Sequence, residues 1–204
     1  MSSKYSAADY TFQFITVTAG VLIALFIDGL AETKANRELV ESARATILLE
    51  IADNKKDLEA TLSGIAGDRE AMLNAVRFAD EILSKGKTKI TSLQLHYNVA
   101  DKVSDSSWRT AERTGALAHM DYAEVQKYSR IYEFQDLFMQ QQRQALSQLT
   151  LAGATLNETF DPEHPKPKDM ELFRARVMDV MALVKLQDDF GKKLLEDYSA
   201  ALKP

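Results

Sequence analysis

The chain contains no cysteine. Disulfides and thiolate metal sites are therefore excluded, and that absence suits the cytoplasm, the periplasm or the membrane equally. Proline is scarce too: there are four, none before Pro162, so nothing upstream breaks a helix by that means. Basic charge is outnumbered, with 25 Lys and Arg against 30 Asp and Glu and a net charge of −5. That balance argues against a nucleic-acid partner, which usually needs a basic face. No phosphate-binding P-loop, dinucleotide fingerprint or G-x-S-x-G elbow occurs, and no internal repeat of standard length. His96, His119 and His164 lie far apart. None has a carboxylate three or four residues on, as helical zinc and di-iron sites require. Each reads as a surface or structural residue, and neither a metal nor another cofactor is expected.

What is present points to a folded protein of 204 residues, with 46% apolar and 27% charged residues. That length allows one core-bearing domain plus an appendage. The appendage announces itself in "TFQFITVTAGVLIALFIDGL", residues 11–30. Tyr10 to Ile27 carries no charge and makes about 27 Å of helix, against a bilayer core of about 30 Å. Its few polar groups include Gln13, Thr16 and Thr18, and threonines satisfy themselves by bonding back to their own helix. The reading is an uncleaved signal anchor: a tail over 1–9, a transmembrane segment over 10–30 and a body over 31–204. A cleaved signal peptide with Gly29-Leu30-Ala31 as its site, or a buried soluble helix, are the alternatives. Within the span, Thr16, Gly20 and Ala24 place three small residues on one face, which suits close packing of two spans. Lys4 precedes the span, while Lys34, Arg37 and Arg44 follow it. That tally slightly favours a cytoplasmic body.

Beyond Asp28 the pattern is helical. Val40, Ala43, Ile47, Ile51, Leu58, Leu62, Ile65, Met72, Val76, Ala79 and Leu83 recur at helical intervals. The membrane helix is thus expected to continue into a long amphipathic stalk. Gly64 and Gly67 either interrupt it, with Asp68 capping a restart, or join Ser63 and Ala71 in a small face for another helix. Residues 84–92 read as a polar turn, and Leu93–Val103 as a short helix. Asp105 or Ser106 opens a further helix, and Gly115 can take a left-handed position at its end. Asp121 with Glu124 forms a capping-box-like start for a helix from Tyr122 to about Leu156. Val125, Tyr128, Ile131, Tyr132, Phe138, Leu146 and Leu149 face inward on it. "QQQRQ" at 140–144 reads as a solvated face. A loop over 157–168 follows, its "HPKPK" a solvated linker or a docking segment for an acidic partner. Asp169 caps the last helix, with Phe173, Val177, Val180, Val184, Leu194 and Tyr198 inward. The expected fold is all-α: a transmembrane helix and stalk packed in an antiparallel helical bundle.

One polar constellation stands out. Glu50 and Asn54 share a helix face among Ile47, Ile51 and Leu58, so they need buried partners. The segment from Trp108 to Met120 is the expected source, with Trp108 as apolar anchor and Arg109 or Arg113 pairing Glu50. The alternative is a ligand pocket lined by the same groups.

"GVLIALFIDGL", "EIADN" and "SSWRTAERTGALAHMDYAEVQKY" together resemble a group of uncharacterised single-pass proteins of bacterial inner membranes. The resemblance spans residues 10–135. It implies a short N-terminal anchor, a helical body outside the cytoplasm and no established activity. The functional expectation is a non-enzymatic scaffold or interaction protein in the lipid bilayer, joined to itself or to another membrane protein. A sensor holding a small ligand within the bundle is the second reading.

Overall fold

The computed structural model describes residues 7–90, 92–159, 161 and 164–203. Most of the tail, including Lys4 of the charge tally, lies outside the described residues. So does Pro162. Among the described residues every regular element is helical: α1 (Ala7–Lys85), α2 (Ser106–Arg113), a 3-10 turn (Ala116–His119), α3 (Tyr122–Thr159) and α4 (Pro167–Ala201).

Helix α1 runs 79 residues without a break, roughly 118 Å at 1.5 Å per residue. It stops at Gly86, whose φ of 66° is left-handed and whose N–H donates to Ile82 O at 2.8 Å, an ordinary glycine C-cap. The early part of α1 stands clear of the body: residues 11–35 are all exposed. Thr16 donates its hydroxyl back to Phe12 O at 2.9 Å. This stretch is long and apolar enough to cross a membrane, and none of its apolar window is buried.

Lower on the same helix the core begins. From Ile51 the buried positions are 51, 54, 58, 61, 65, 68, 72, 75, 79 and 82, with Phe78 buried beside Ala79. In α4 they are 170, 173, 177, 180, 184, 187, 191, 194, 198 and 201. Helix α3 follows the same rule through 128, 131, 135, 138, 142 and 145. Steps of three and four without a slip are a heptad, the period at which packed helices keep one seam together. Helix α4 runs back along α1: Phe173 meets Phe78 edge-on at 6.3 Å, and Gly191 lies against Leu62. It also lies along α3, with Phe190 against Phe134.

The two buried rows of α1 differ in chemistry. Ile51, Leu58, Ile65, Met72 and Ala79 are apolar, whereas the other row begins Asn54, Thr61 and Asp68 before turning apolar at Ala75 and Ile82. The polar row exists because of what covers it. Residues 92–104 form neither helix nor strand, and this strap lies over α1.

Several expectations are corrected here. Leu93–Val103 is extended, not helical. Leu93, Leu95 and Tyr97 turn inward while Ser92, Gln94 and His96 are exposed, an alternation of period two. The helix passes through Gly64 and Gly67 uninterrupted. The close neighbour at Gly64 is Asn98 of the strap, not another helix. Asp68 caps nothing; it is a fully buried core residue. Helix α4 starts at Pro167 with Lys166 in the cap position, which puts Asp169 inside the first turn. Asp121 Oδ1 accepts the N–H groups of Ala123 and Glu124 at 2.9 and 3.2 Å, but the Glu124 carboxylate turns to Arg44 instead of closing a capping box. Leu146 is 38% exposed. Gln142 in "QQQRQ" points inward and is buried, since it falls on the α3 heptad.

Candidate functional site: a polar seam under an extended strap

An extended chain laid on helices has no ladder for its backbone groups, so side chains must supply the partners. They do so at every second residue. Asn98 N–H donates to Asp68 Oδ2 at 2.9 Å, Ala100 N–H to Gln142 Oε1 at 2.8 Å and Ser104 N–H to Asn54 Oδ1 at 2.8 Å. Lys102 N–H reaches Asp57 Oδ2 at 3.2 Å. Ser104 O accepts from both Asn54 Nδ2 (2.6 Å) and Gln135 Nε2 (3.0 Å). The two periods match. Residues 54 to 68 of a helix rise about 21 Å, and residues 98 to 104 extended span about 20 Å.

Glu50 closes the seam at the end nearer the N-terminal part of α1. Only 8% exposed, it accepts four bonds: Ser104 Oγ (3.0 Å), Ser106 Oγ (2.8 Å) and Ser107 N–H (2.9 Å) on Oε2, and Tyr132 OH (2.8 Å) on Oε1. Burial pushes the carboxyl up, but the Ser107 amide and the Ser106, Tyr132 and Ser104 hydroxyls outweigh it and hold Glu50 below the usual carboxylate range. The Tyr132 phenol is pushed far up by burial and then by the Glu50 charge. Tyr132 in turn stacks on Trp108, ring centroids 5.5 Å apart. Tyr198 from α4 donates to Gln135 Oε1 at 2.5 Å, which ties the third long helix into the same network.

Of the residues singled out from sequence, the structure brings Glu50, Asn54 and Trp108 together and leaves the arginines out. Arg109 pairs with Asp105 at 2.6 Å in a largely exposed contact. Arg113 sits exposed in the last turn of α2. Neither bonds Glu50, so the expected buried ion pair is corrected. Serine hydroxyls, one amide and a phenol neutralise the carboxylate's hydrogen-bonding demand without a second buried charge. Gly115 is left-handed, φ 79°. Thr16, Gly20 and Ala24 are exposed on α1, with nothing near Gly20.

Sequence reasoning missed Tyr132, Asp68, Gln135 and Gln142. A signal for them exists: Asn54, Thr61 and Asp68 stand seven apart, as do Gln135 and Gln142. Among the histidines only His96 joins the seam, its Nδ1 2.8 Å from Asp68 Oδ1. No group of metal-binding side chains occurs among the described residues. Chemically, a carboxylate whose acceptor sites are filled by its own chain anchors structure and offers no base to a substrate.

No protein-family model, curated protein or solved structure matches the chain.

Proposed function

We propose that this chain is a non-enzymatic, membrane-anchored interaction or scaffold protein of the bacterial inner membrane. Residues 10–27 form its single span, the antiparallel bundle its periplasmic body. The observation that carries this reading is that a charge-free stretch with no residue buried in the body shares one unbroken helix with the polar seam. Exposed Phe12, Phe14, Leu22, Leu25 and Phe26 on a helix alone in water would be a large apolar liability, and lipid removes it. The filled seam supports a structural body over a catalytic one, because it presents the chain's own donors to its own acceptors. Self-association through Thr16, Gly20 and Ala24 fits the same reading, as does union with another membrane protein.

Two measurements test it. Full-length protein should stay in the pellet after carbonate washing; its release into the soluble fraction overturns the span. Because the chain has no cysteine, Lys166→Cys introduces a lone thiol. A membrane-impermeant reagent should label it in intact spheroplasts, and protection until lysis reverses the orientation. The sensor alternative cannot use the seam, which is occupied, but a separate cleft between α1 and α4 offers it a place.

A further inference from the structure

The buried apolar side chains of the body fall into two separate clusters. The near one, closer to the exposed start of α1, draws on α1 residues 40–58, α3 residues 128–138 and α4 residues 194–201. The far one draws on α1 residues 65–82, Ala152 of α3 and α4 residues 170–184. Between them the buried positions turn polar or small: Thr61 on α1, Gln142 and Ala145 on α3, Gln187 and Gly191 on α4. Among the described residues Leu62 is the one side chain that packs against both clusters. It seats on Gly191, where a Cβ would come within 2.6 Å of it. The layer is also unevenly satisfied. Gln142 holds the Ala100 amide, but Gln187, 1% exposed, is met by the Tyr97 hydroxyl alone. A phenol donates to the amide oxygen or accepts from the amide nitrogen, so either way round one end of this buried amide is bare. At the same level a groove separates α1 residues 62–69 from α4 residues 178–192.

We propose that the body is two cooperative units meeting at this layer, and that the far unit opens by itself while the near unit stays folded. Parts of a fold that share little burial open separately, and here one leucine carries most of the apolar link. The helices run through the layer, but α1, α3 and α4 each have an end in the far half, from which they can fray back to it. Helix α3 sets the order of opening. It gives the near cluster Tyr128, Ile131, Tyr132 and Phe138, and the far one only Ala152 fully buried, with Leu149 and Leu156 partly so. The near half also holds Glu50, whose hydrogen bonds join α1, α2 and α3. Opening uncovers Met72, Phe173, Val177 and Val180, all buried in the closed body, an apolar face of the kind that partner proteins recognise. That use of the face rests on the reading as an interaction protein. The division into two units does not, nor does it depend on residues 10–27 being a span.

The test is native-state hydrogen exchange on the full-length chain in nanodiscs, read by mass spectrometry at urea concentrations below the main transition. Peptides covering 72–82, 149–156 and 170–184 should share one opening, populated about tenfold or more above that of 47–58, 128–138 and 194–200. Ile47→Val lies in the near cluster. It should raise the near-half opening about threefold and leave the far-half opening unchanged, because Ile47 stays packed when only the far half opens. Gln187→Leu combined with Tyr97→Phe replaces the bare amide and its partner by apolar groups, and the far-half opening should fall about fivefold or more. One opening common to both halves, a near half that opens first, or equal rises in both halves with Ile47→Val each overturns the proposal. So does a double variant whose far half opens as often as before. Carbonate release of the chain would sink the span alone and leave these openings to be read on the soluble protein.

Discussion

Tyr132 on α3 donates its hydroxyl to Glu50 on α1 at 2.8 Å, both groups buried and 82 residues apart in sequence. Tyr132→Phe removes that hydroxyl while keeping the ring that stacks on Trp108. A hydrogen bond to a charged group is worth about 1.5–3 kcal/mol, so urea denaturation should show a loss at the lower end of that range. Glu50→Ala should cost more, roughly 2–4 kcal/mol, since Tyr132 and the Ser107 amide lose their acceptor. The two changes should be non-additive by about 1 kcal/mol or more. Arg109→Ala, by contrast, should add to Glu50→Ala within about 0.5 kcal/mol. Strong coupling to Arg109 would restore the ion pair that the structure replaces with hydroxyls.

Acid should unfold the body through the same carboxylates. Glu50 lies below its ordinary value for the reasons given above, and Arg44 beside Glu124 holds that carboxyl down too. Depressed folded-state values mean that the unfolded chain binds more protons in the window below. Their contribution is therefore complete above the unfolded value, about 4.3, and is lost as pH falls through the folded values. Glu50→Gln should be less stable than wild type at pH 7, and the gap should close as pH drops towards about 3. A gap independent of pH would show that the Glu50 charge contributes nothing.

The helices were legible because their causes are local. The apolar spacing of α1 and α4, the missing prolines and the Gly115 turn all act within a few residues, and burial of Ile51, Met72, Phe173 and Val184 follows from them. That Glu50 and Asn54 need partners could also be read, since a polar pair on an apolar stripe has no other solution. Which partners they find depends on the strap, and the strap's conformation is not a local property. Leu93, Leu95, Tyr97 and Val99 alternate, yet they sit in a chain of strong helix formers, whose local preference favours helix. The arginines misled for a related reason. Charge complementarity favours an ion pair, but α2 presents its N-terminal Ser106 and Ser107 to Glu50 and keeps Arg109 at the surface with Asp105.

The strap gives a pattern that hydrogen exchange can read. Amides of Asn98, Ala100 and Ser104 each donate to a side chain at 2.8–2.9 Å. They should exchange slowly by NMR, although the segment lies in neither helix nor sheet. Asp101, exposed between them, should exchange fast. Asn54→Ala should release Ser104 with little effect on Asn98, which hangs on Asp68. Uniformly fast exchange from 98 to 104 would mean that the strap is not held by the seam.

Gly64 and Gly67 provide a sign test on one helix. An open helical glycine changed to alanine gains about 0.8–1 kcal/mol. At Gly67 nothing lies within 4 Å of an added Cβ, so Gly67→Ala should stabilise by up to about 1 kcal/mol. At Gly64 the same Cβ would overlap Asn98 Nδ2 and sit 2.5 Å from its Cγ. Asn98 has little freedom to move aside: its Nδ2 and its N–H donate to Asp68 at 2.8 and 2.9 Å, and Asp68 is wholly buried. Pulling a donor off a buried carboxylate costs about 1.5–3 kcal/mol, more than the helix gains. Gly64→Ala should therefore destabilise by about 1–2 kcal/mol. In an Asn98→Ala background the overlap is gone, and the same change should become neutral or favourable. If Gly64→Ala instead raises stability in the wild-type background as Gly67→Ala does, the strap does not press on α1 at this point.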